Sequence, residues 1–546
     1  MNKRFTGLAV AVLAILAWSV VYPNLSVVAG SFAHGGRDWL AFFQSPADHE
    51  ALVNTLVIAV ASVASALAVG VPLAFLLTRF EFRGRRFMSA VATLPAALPP
   101  LVGVIAFMFL YGESGVVTRG VQTLFGLAHP PWTFTGVWAI VFVHAYTMYV
   151  YVFLFVSAGL ERYDTSLDEA AEGLGAPAAL RLRRVTLPLL TPSLIGSMLL
   201  VFMSALGSFS APYIFGGGAR VLSTQILVSK LNGSMGMAYV ETSMLVITAI
   251  VALAVLRWIE RRREYAMSGK GRVTRTVVRS PFWRHAAPAV AALAVVFLVL
   301  PHAMVVLVSF ARDGAWTTQV LPPQYTLDNF RRLATDPDLI QPITNSVSMA
   351  AIATAANVVV CFLAAYLLVL SRAPGKRLLG LLVALPWAIP ATAIALGLAA
   401  TFDRNALASA KLLLVGTFWI LPLAYFVRNI PVVTNAIEGS LRQMDPTIED
   451  AARGLGASWM LAMRRVVLPA ARPGLVAGAM LAAVAAVGEF VASIVLYSHS
   501  NRPISMEILS QLRGLSFGTA AAYSVLLIAL VLAITTGARW AESRMA

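Results

Sequence analysis

Charge is scarce in this 546-residue sequence: only 12% of it is Asp, Glu, Lys or Arg, and it has one cysteine. A soluble globular domain carries about 25% charged residues. Half that share, with a mean hydropathy of +0.79, leaves too little polar surface for a water-soluble enzyme. Cys361 has no second cysteine, which excludes an intramolecular disulfide and a cysteine-based metal cluster. Its apolar setting, Asn357–Leu370, suits inert packing. Nor is there a P-loop, because Gly269-Lys270 and Gly375-Lys376 neither follow a glycine at Walker A spacing nor precede Ser or Thr. No His/Asp/Glu/Cys grouping has metal-ligand spacing, and no Ser/His/Asp set falls on one side of a membrane, so no catalytic role is expected. The basic excess, 41 Lys and Arg against 25 acids, is scattered between apolar runs. It forms no continuous phosphate-binding stripe, so nucleic acid is not an expected partner.

Long apolar stretches are what the chain has instead. They lie near 7–30, 53–78, 88–111, 136–160, 190–212, 238–256, 286–310, 344–370, 378–400, 412–432, 471–497 and 518–537. About 20 apolar residues suffice for a crossing helix, which predicts an all-α polytopic membrane protein of about twelve transmembrane helices. The basic start Lys3-Arg4 precedes an apolar run longer than a signal-peptide core and without a clear cleavage site, so an uncleaved first helix is expected. With the N-terminus cytoplasmic, every Lys and Arg can be assigned to a flanking loop, and most of the 41 fall inside. That obeys the positive-inside rule and places both termini in the cytoplasm. The densest basic segment, Arg257 to Arg284, becomes a cytoplasmic linker and an anchor beside anionic lipid.

The chain is also a duplication. Asn54-Thr55-Leu56, Gly84-Arg85-Arg86 and Leu94-Pro95…Pro99 recur 291 residues later as Asn345-Ser346-Val347, Gly375-Lys376-Arg377 and Leu385-Pro386…Pro390. Beyond the third span the offset is 281, and there Asp164–Leu194 matches Asp445–Leu475 at 15 of 31 positions. Six spans per half make the repeats parallel, enclosing a central path. The expected organisation is a first helix and outer loop (1–52), a first repeat domain (53–257), a linker with the seventh helix and an outer loop (258–343), a second repeat domain (344–537) and a cytoplasmic tail (538–546).

The best-matched stretch is a loop, and loops normally diverge fastest, so its retention points to function. In each copy a Ser or Thr (Ser166, Thr447) stands three residues before an acid (Glu169, Asp450), the spacing of a capping box that opens a short helix. Ala170-Ala171 and Ala451-Ala452 give that helix a small-residue face, and Gly175 and Gly456 permit the left-handed backbone at which it ends. Leu187-Pro188 and Leu468-Pro469 can open the next helix.

Glu-Ala-Ala, three residues, Gly, nine residues and Ile-x-Leu-Pro together resemble the cytoplasmic signature of type I binding-protein-dependent ABC importer permeases. Copy one fits with Val185 in the Ile place; copy two has Asp450 for Glu and Val466 for Ile. The resemblance implies that each loop is a coupling helix seated in a groove of a separate ATP-hydrolysing subunit. Two such subunits would use ATP and magnesium, while this chain binds no cofactor. It further implies a periplasmic or extracellular substrate-binding protein and a bacterial inner-membrane location. The fused two-half layout resembles the ferric-iron permeases, whose relatives carry thiamine or 2-aminoethylphosphonate. A twelve-helix secondary transporter driven by an ion gradient would share the spans, repeats and basic loops, but not the doubled loop signature.

Intramembrane ionisable groups tend to face a cavity. Glu489, in Val487-Gly488-Glu489-Phe490, is the first candidate for the path, with its repeat partner Ser208 in Leu206-Gly207-Ser208-Phe209. His144, beside Tyr146, Tyr149 and Tyr151, is a second candidate, with neutral packing as its alternative. Asn54 and Asn345, at the starts of matching helices, read as caps. Pro212-Tyr213…Gly216-Gly217-Gly218 reads as a turn or as a flexible loop able to meet a delivery protein.

Overall fold

A computed structural model describes residues 3–97, 99–162, 164–261, 276–277, 281–316, 319–371, 375–403, 412–445 and 447–544. Most of the basic linker, including Arg262, Arg263 and Gly269, lies outside the described residues. Among those described, ten helices are long and apolar enough to cross a membrane, and up to twelve crossings result if each of two bent helix pairs is one span.

The first half runs α1 (Gly7–Ser31), α2 (Pro46–Arg79), α3 (Pro100–Tyr111) and α4 (Val137–Glu161). A short loop helix α5 (Ser166–Gly173) follows, then α6 (Thr191–Leu206), α7 (Ser210–Phe215), α8 (Leu222–Leu231) and α9 (Met235–Arg261). The second half repeats the order: α10 (Pro281–Ser309), α11 (Pro337–Val369), α12 (Lys376–Ala388), α13 (Ala391–Phe402) and α14 (Ile420–Leu441). Its loop helix is α15 (Thr447–Gly454), followed by α16 (Leu468–Val487), α17 (Val491–Leu496), α18 (Ile504–Arg513) and α19 (Phe517–Ser543).

Four expected spans are broken. The third divides around Pro95 to Pro100, and α12 and α13 meet at 108° across Ile389-Pro390. Proline has no N–H to continue a helix and holds the residue before it extended; Ile389 is extended, with ψ 126°. The fifth and eleventh spans stop at Gly207 and Gly488 and restart as α7 and α17. Nor is Pro212-Tyr213 a flexible loop, since both residues belong to α7. Beyond it, Gly136 N donates to Phe215 O at 2.6 Å.

Asn54 and Asn345 are not caps. The caps stand nine residues earlier, where Ser45 accepts from Asp48 N ahead of Pro46, and Asp336 accepts from Asp338 N ahead of Pro337. The two asparagines sit inside α2 and α11 and reach the segment before α8 or α18. Asn54 donates to Arg220 O and Asn345 to Arg502 O, each at 3.0 Å. Their neighbours complete a doubled tether: Leu222 N donates to Thr55 Oγ1 at 2.9 Å and Ile504 N to Ser346 Oγ at 2.7 Å.

The described core is two clusters, one centred on each half, and the leading helices join them. Ala9, Val12, Leu16 and Val20 of α1 are buried with residues of the second half. Trp18 lies edge-on to Phe402 at 5.1 Å. Helix α10 packs on both halves: Met304, Val305 and Val308 are buried with the second, and Leu298 with the first, where Tyr146 Oη donates to Leu298 O at 2.7 Å. Helix association in lipid depends on close backbone approach, and Gly70 supplies it between α2 and α4: an added Cβ would stand 2.8 Å from Tyr149 O. Cys361 occupies the matching place in α11, fully buried, with its Sγ 3.6 Å from Ile430 O. The lone thiol is a packing residue.

Candidate functional site

Two duplicated features can carry function. The first is the pair of loop helices. The expected capping boxes are not formed by Ser166 or Thr447, which are the first helical residues; the caps stand two places earlier. Asp164 accepts from Ser166 N at 3.0 Å, and Asp445 accepts from Thr447 N at 2.9 Å and from its hydroxyl at 2.8 Å. Those Thr447 bonds hold the Asp445 carboxyl below its ordinary range.

Each loop helix is tied to its half by the acid preceding the one expected. Asp168 pairs with Arg79 at the end of α2 and accepts from Thr186 Oγ1 at 3.3 Å. Glu449, buried, accepts from Tyr366 Oη of α11 at 2.9 Å, and Trp459 Nε1 donates to the same phenol at 3.1 Å. Glu169 is exposed, so the tie is not through it. The side chain of Asp450 lies outside the described residues.

With the acids turned inward, the opposite face is open. Ala170 and Ala451 are exposed, and Ala171 and Ala452 are half-buried. The helices end in matched turns, where Gly175 (φ 81°) and Gly456 (φ 89°) donate to Glu172 O at 2.8 Å and Arg453 O at 3.0 Å. Directly before these glycines, Leu174 and Leu455 are 89% and 90% exposed. Leu187-Pro188 and Leu468-Pro469 then start the next helices, each after a short π-helical turn.

The second feature is the pair of breaks at Gly207-Ser208-Phe209 and Gly488-Glu489-Phe490. They meet across the boundary between the halves. A Cβ on Gly207 would lie 3.6 Å from Pro390 Cβ, and one on Gly488 would lie 3.0 Å from Pro99 Cβ. Phe209 and Phe490, both buried, stand 5.9 Å apart between ring centroids. Pro99/Pro390 and Gly207/Gly488 are repeat partners, so the contact is reciprocal about a pseudo-twofold axis.

Beside this contact the halves differ in chemistry. In the first, His144 is buried between two serines, with Nδ1 at 2.8 Å from Ser62 Oγ and Nε2 at 2.9 Å from Ser208 Oγ. Ser62 donates to Ile58 O at 2.6 Å and therefore accepts from His144 Nδ1–H, which leaves Nε2 to accept from Ser208. Both ring nitrogens are satisfied. In the second half, Glu489 is buried, pairs with Arg428 of α14, and accepts from Ala492 N at 2.9 Å, capping α17. Tyr425, the repeat partner of His144, is hydrogen-bonded to Ser493 at 2.7 Å. Arg428 thus corrects the loop count: it lies within a span and is no cytoplasmic flank.

Among the described residues no group of three or more His, Cys, Asp or Glu could hold a metal ion. A 750 Å³ groove between α2, α6 and α9 is walled by apolar side chains such as Leu56, Val60 and Phe202, apart from Thr248, and includes none of the break residues.

The family model described as "Binding-protein-dependent transport system inner membrane component" matches residues 66–265 and again 357–546. The chain belongs to this family. It is a multi-pass inner-membrane permease of the ABC importer class, with both permease units fused in one polypeptide. It is 29% identical over 510 residues to a probable ABC transporter permease of Sinorhizobium fredii, covering 91% of this chain and 89% of that one. It is 24% identical to the ferric transport system permease FbpB of Actinobacillus pleuropneumoniae, covering 99% of this chain and 78% of the relative. A probable molybdenum ABC transporter permease of Haloferax volcanii matches at 31% over 40% of this chain and 81% of its own length. In this permease the residues that sequence reasoning missed are Arg428, Tyr425, Asp168 and Glu449. Arg428 had a signal, a cation inside an apolar run opposite an intramembrane acid.

Proposed function

We propose that this permease forms the translocation path of an ATP-driven importer whose cargo is ferric iron or a related small solute such as thiamine or 2-aminoethylphosphonate. ATP and magnesium act on separate ATPase subunits, one beneath each loop helix, and a substrate-binding protein delivers cargo to the opposite, outer face. Both termini and both loop helices are cytoplasmic. The observation that carries this reading is the duplicated loop helix, anchored inward by Asp168 or Glu449 while Ala170 or Ala451 and Leu174 or Leu455 are exposed. A helix fixed to a span on one side and bare on the other can pass a push from a partner into that span. Near-complete coverage by the ferric-transport relative supports the iron assignment over molybdate.

The reading is tested by co-purifying the permease with its ATPase and adding candidate binding proteins loaded separately with ferric iron, thiamine or 2-aminoethylphosphonate. ATP hydrolysis stimulated by one loaded protein names the cargo. An absence of any associated ATPase would return the chain to the secondary-transporter reading.

A further inference from the structure

We propose that Arg428 is the point at which the path recognises its cargo, and that the cargo therefore presents an oxyanion group (phosphate, phosphonate, carboxylate or molybdate) as it crosses between the halves. The proposal rests on the importer reading and narrows its cargo by chemical class: it keeps chelated iron and 2-aminoethylphosphonate, excludes thiamine and admits other oxyanions.

Arg428 lies eight residues into α14, about 12 Å along the helix axis. A guanidinium at that depth is costly unless it is paired or meets a cavity. It is paired, with Glu489, yet a third of its side-chain surface (33%) stays exposed. The pairing uses only Nη1, whereas a guanidinium carries five N–H donors. Glu489 has less to offer, because one carboxylate oxygen holds Arg428 and the other accepts from Ala492 N at 2.9 Å. The pair therefore presents an exposed donor edge beside a carboxylate only 9% exposed. The buried carboxylate is the less accessible partner for a cation; an oxyanion can add to the free edge of the guanidinium, whose planar fork suits two parallel hydrogen bonds.

Position places this group on the path. The residues on either side of Glu489 touch the opposite half, Gly488 at Pro99 and Phe490 at Phe209. Glu489 therefore lies at the boundary between the halves, and Arg428 is bonded to it there. At the matching places the first half carries no charge: Thr147 stands at that of Arg428 and Ser208, bonded to His144, at that of Glu489, while the first half's Lys230 donates farther along, to Val495 O of α17. One guanidinium with unused N–H donors on one wall suits a small solute with one oxyanion group. Iron travelling with its anionic chelator and a free oxyanion share this chemistry.

The test is the unfolding midpoint of the purified full-length chain in lipid nanodiscs at matched ionic strength. The probes are phosphate, molybdate, 2-aminoethylphosphonate, citrate with and without ferric ion, and thiamine. A ligand held only by the folded state raises the midpoint in proportion to its occupancy. At least one oxyanion is expected to raise it by several degrees, and thiamine to leave it unchanged. A shift from citrate alone marks a free oxyanion; a shift only with iron present marks a chelated one. The double variant Arg428→Gln/Glu489→Gln removes both charges together and keeps an amide oxygen to cap α17, so no buried charge is stranded. It should lose the shift, whereas Arg428→Lys should keep a shift needing about tenfold more ligand. A shift that survives in the double variant, an equal response to thiamine, or no response to any oxyanion overturns the proposal. Failure of the importer reading is seen separately, as lost ATPase co-purification, which the double variant should retain.

Discussion

Phe209 and Phe490 hold the same place in the two halves of the chain and meet ring to ring at 5.9 Å. Both are buried, and the glycines two residues before them lie against Pro390 and Pro99 of the opposite half. An apolar contact between repeat partners, flanked by reciprocal glycine–proline contacts, is built to exclude water from the boundary at this level, which makes it the candidate seal. Phe209→Ala/Phe490→Ala should therefore make the reconstituted permease leaky to small ions without ATP, while either single variant leaks less. An ion-flux assay in sealed vesicles measures this, and a double variant as tight as the wild type would show that the seal lies elsewhere.

A second pairing of the repeats is conserved in shape but reversed in sequence. Between α4 and α6, Gly159 faces Ser193; between α14 and α16, Ser440 faces Gly474, where an added Cβ would lie 2.7 Å from Ser440 Oγ. Each contact has room for one small side chain. Gly159→Ser should cost about 1–3 kcal/mol by overpacking. Adding Ser193→Gly, which recreates the second half's arrangement, should recover most of that loss. Thermal unfolding of the single and double variants decides it, and purely additive losses would refute the shared-space explanation.

Much of this was legible from residue pattern. Spans, repeat and loop helices follow from apolar length, the 291- and 281-residue offsets and the glycine at each helix end, none of which depends on which residues meet in space. The misreadings arose where a side chain's partner is distant in sequence. Asn54 and Asn345 look like caps until Arg220 and Arg502 are brought beside them. Arg428 looks like a loop charge until Glu489, 61 positions away, is seen to neutralise it inside the span. Asp168 and Glu449 are indistinguishable from their neighbouring acids in sequence, and only the direction of the helix turns them toward Arg79 and Tyr366.

Leu515 marks a strained point on the face opposite the loop helices. It is the only positive-φ residue other than glycine among the described residues, at φ 58°, and it is 67% exposed. Its counterpart is Gly233 at φ 78°, and the two turns share their hydrogen bonding: Leu515 N to Leu512 O and Gly233 N to Lys230 O, each at 3.1 Å. A left-handed leucine costs about 1–2 kcal/mol, and glycine returns about 0.5–1 kcal/mol of that as unfolded-chain entropy. Leu515→Gly should therefore gain up to about 1.5 kcal/mol, and Gly233→Leu should lose a similar amount, because the same entropy term offsets part of its strain. Denaturation in matched detergent reads both changes, and a destabilised Leu515→Gly would mean that the leucine makes a contact outweighing its strain.

The loop helices yield the most demanding prediction, because two parts of one design can be separated. Gly175 and Gly456 set the turn, and nothing lies within 4 Å of a Cβ built on either, so a substitution there acts through the backbone alone. Valine cannot readily hold φ near 80–90°. Gly175→Val or Gly456→Val should therefore misdirect the helix end, abolish uptake and weaken ATPase retention, with membrane insertion preserved. Leu174→Ser and Leu455→Ser leave the turn intact and remove only exposed apolar surface, so they should weaken ATPase retention without changing the unfolding midpoint. Asp168→Asn and Glu449→Gln loosen the inward tie, so the ATPase should stay bound while hydrolysis is uncoupled from uptake. Reversing Glu169 or Asp450 to Lys places a cation at the helix's positive end and should give a milder defect than the valines. Because the loops are duplicates, each single variant should be impaired, and Gly175→Val/Gly456→Val should lose the ATPase more completely. Full uptake with normal ATPase retention in that double variant would remove the coupling role from both loops.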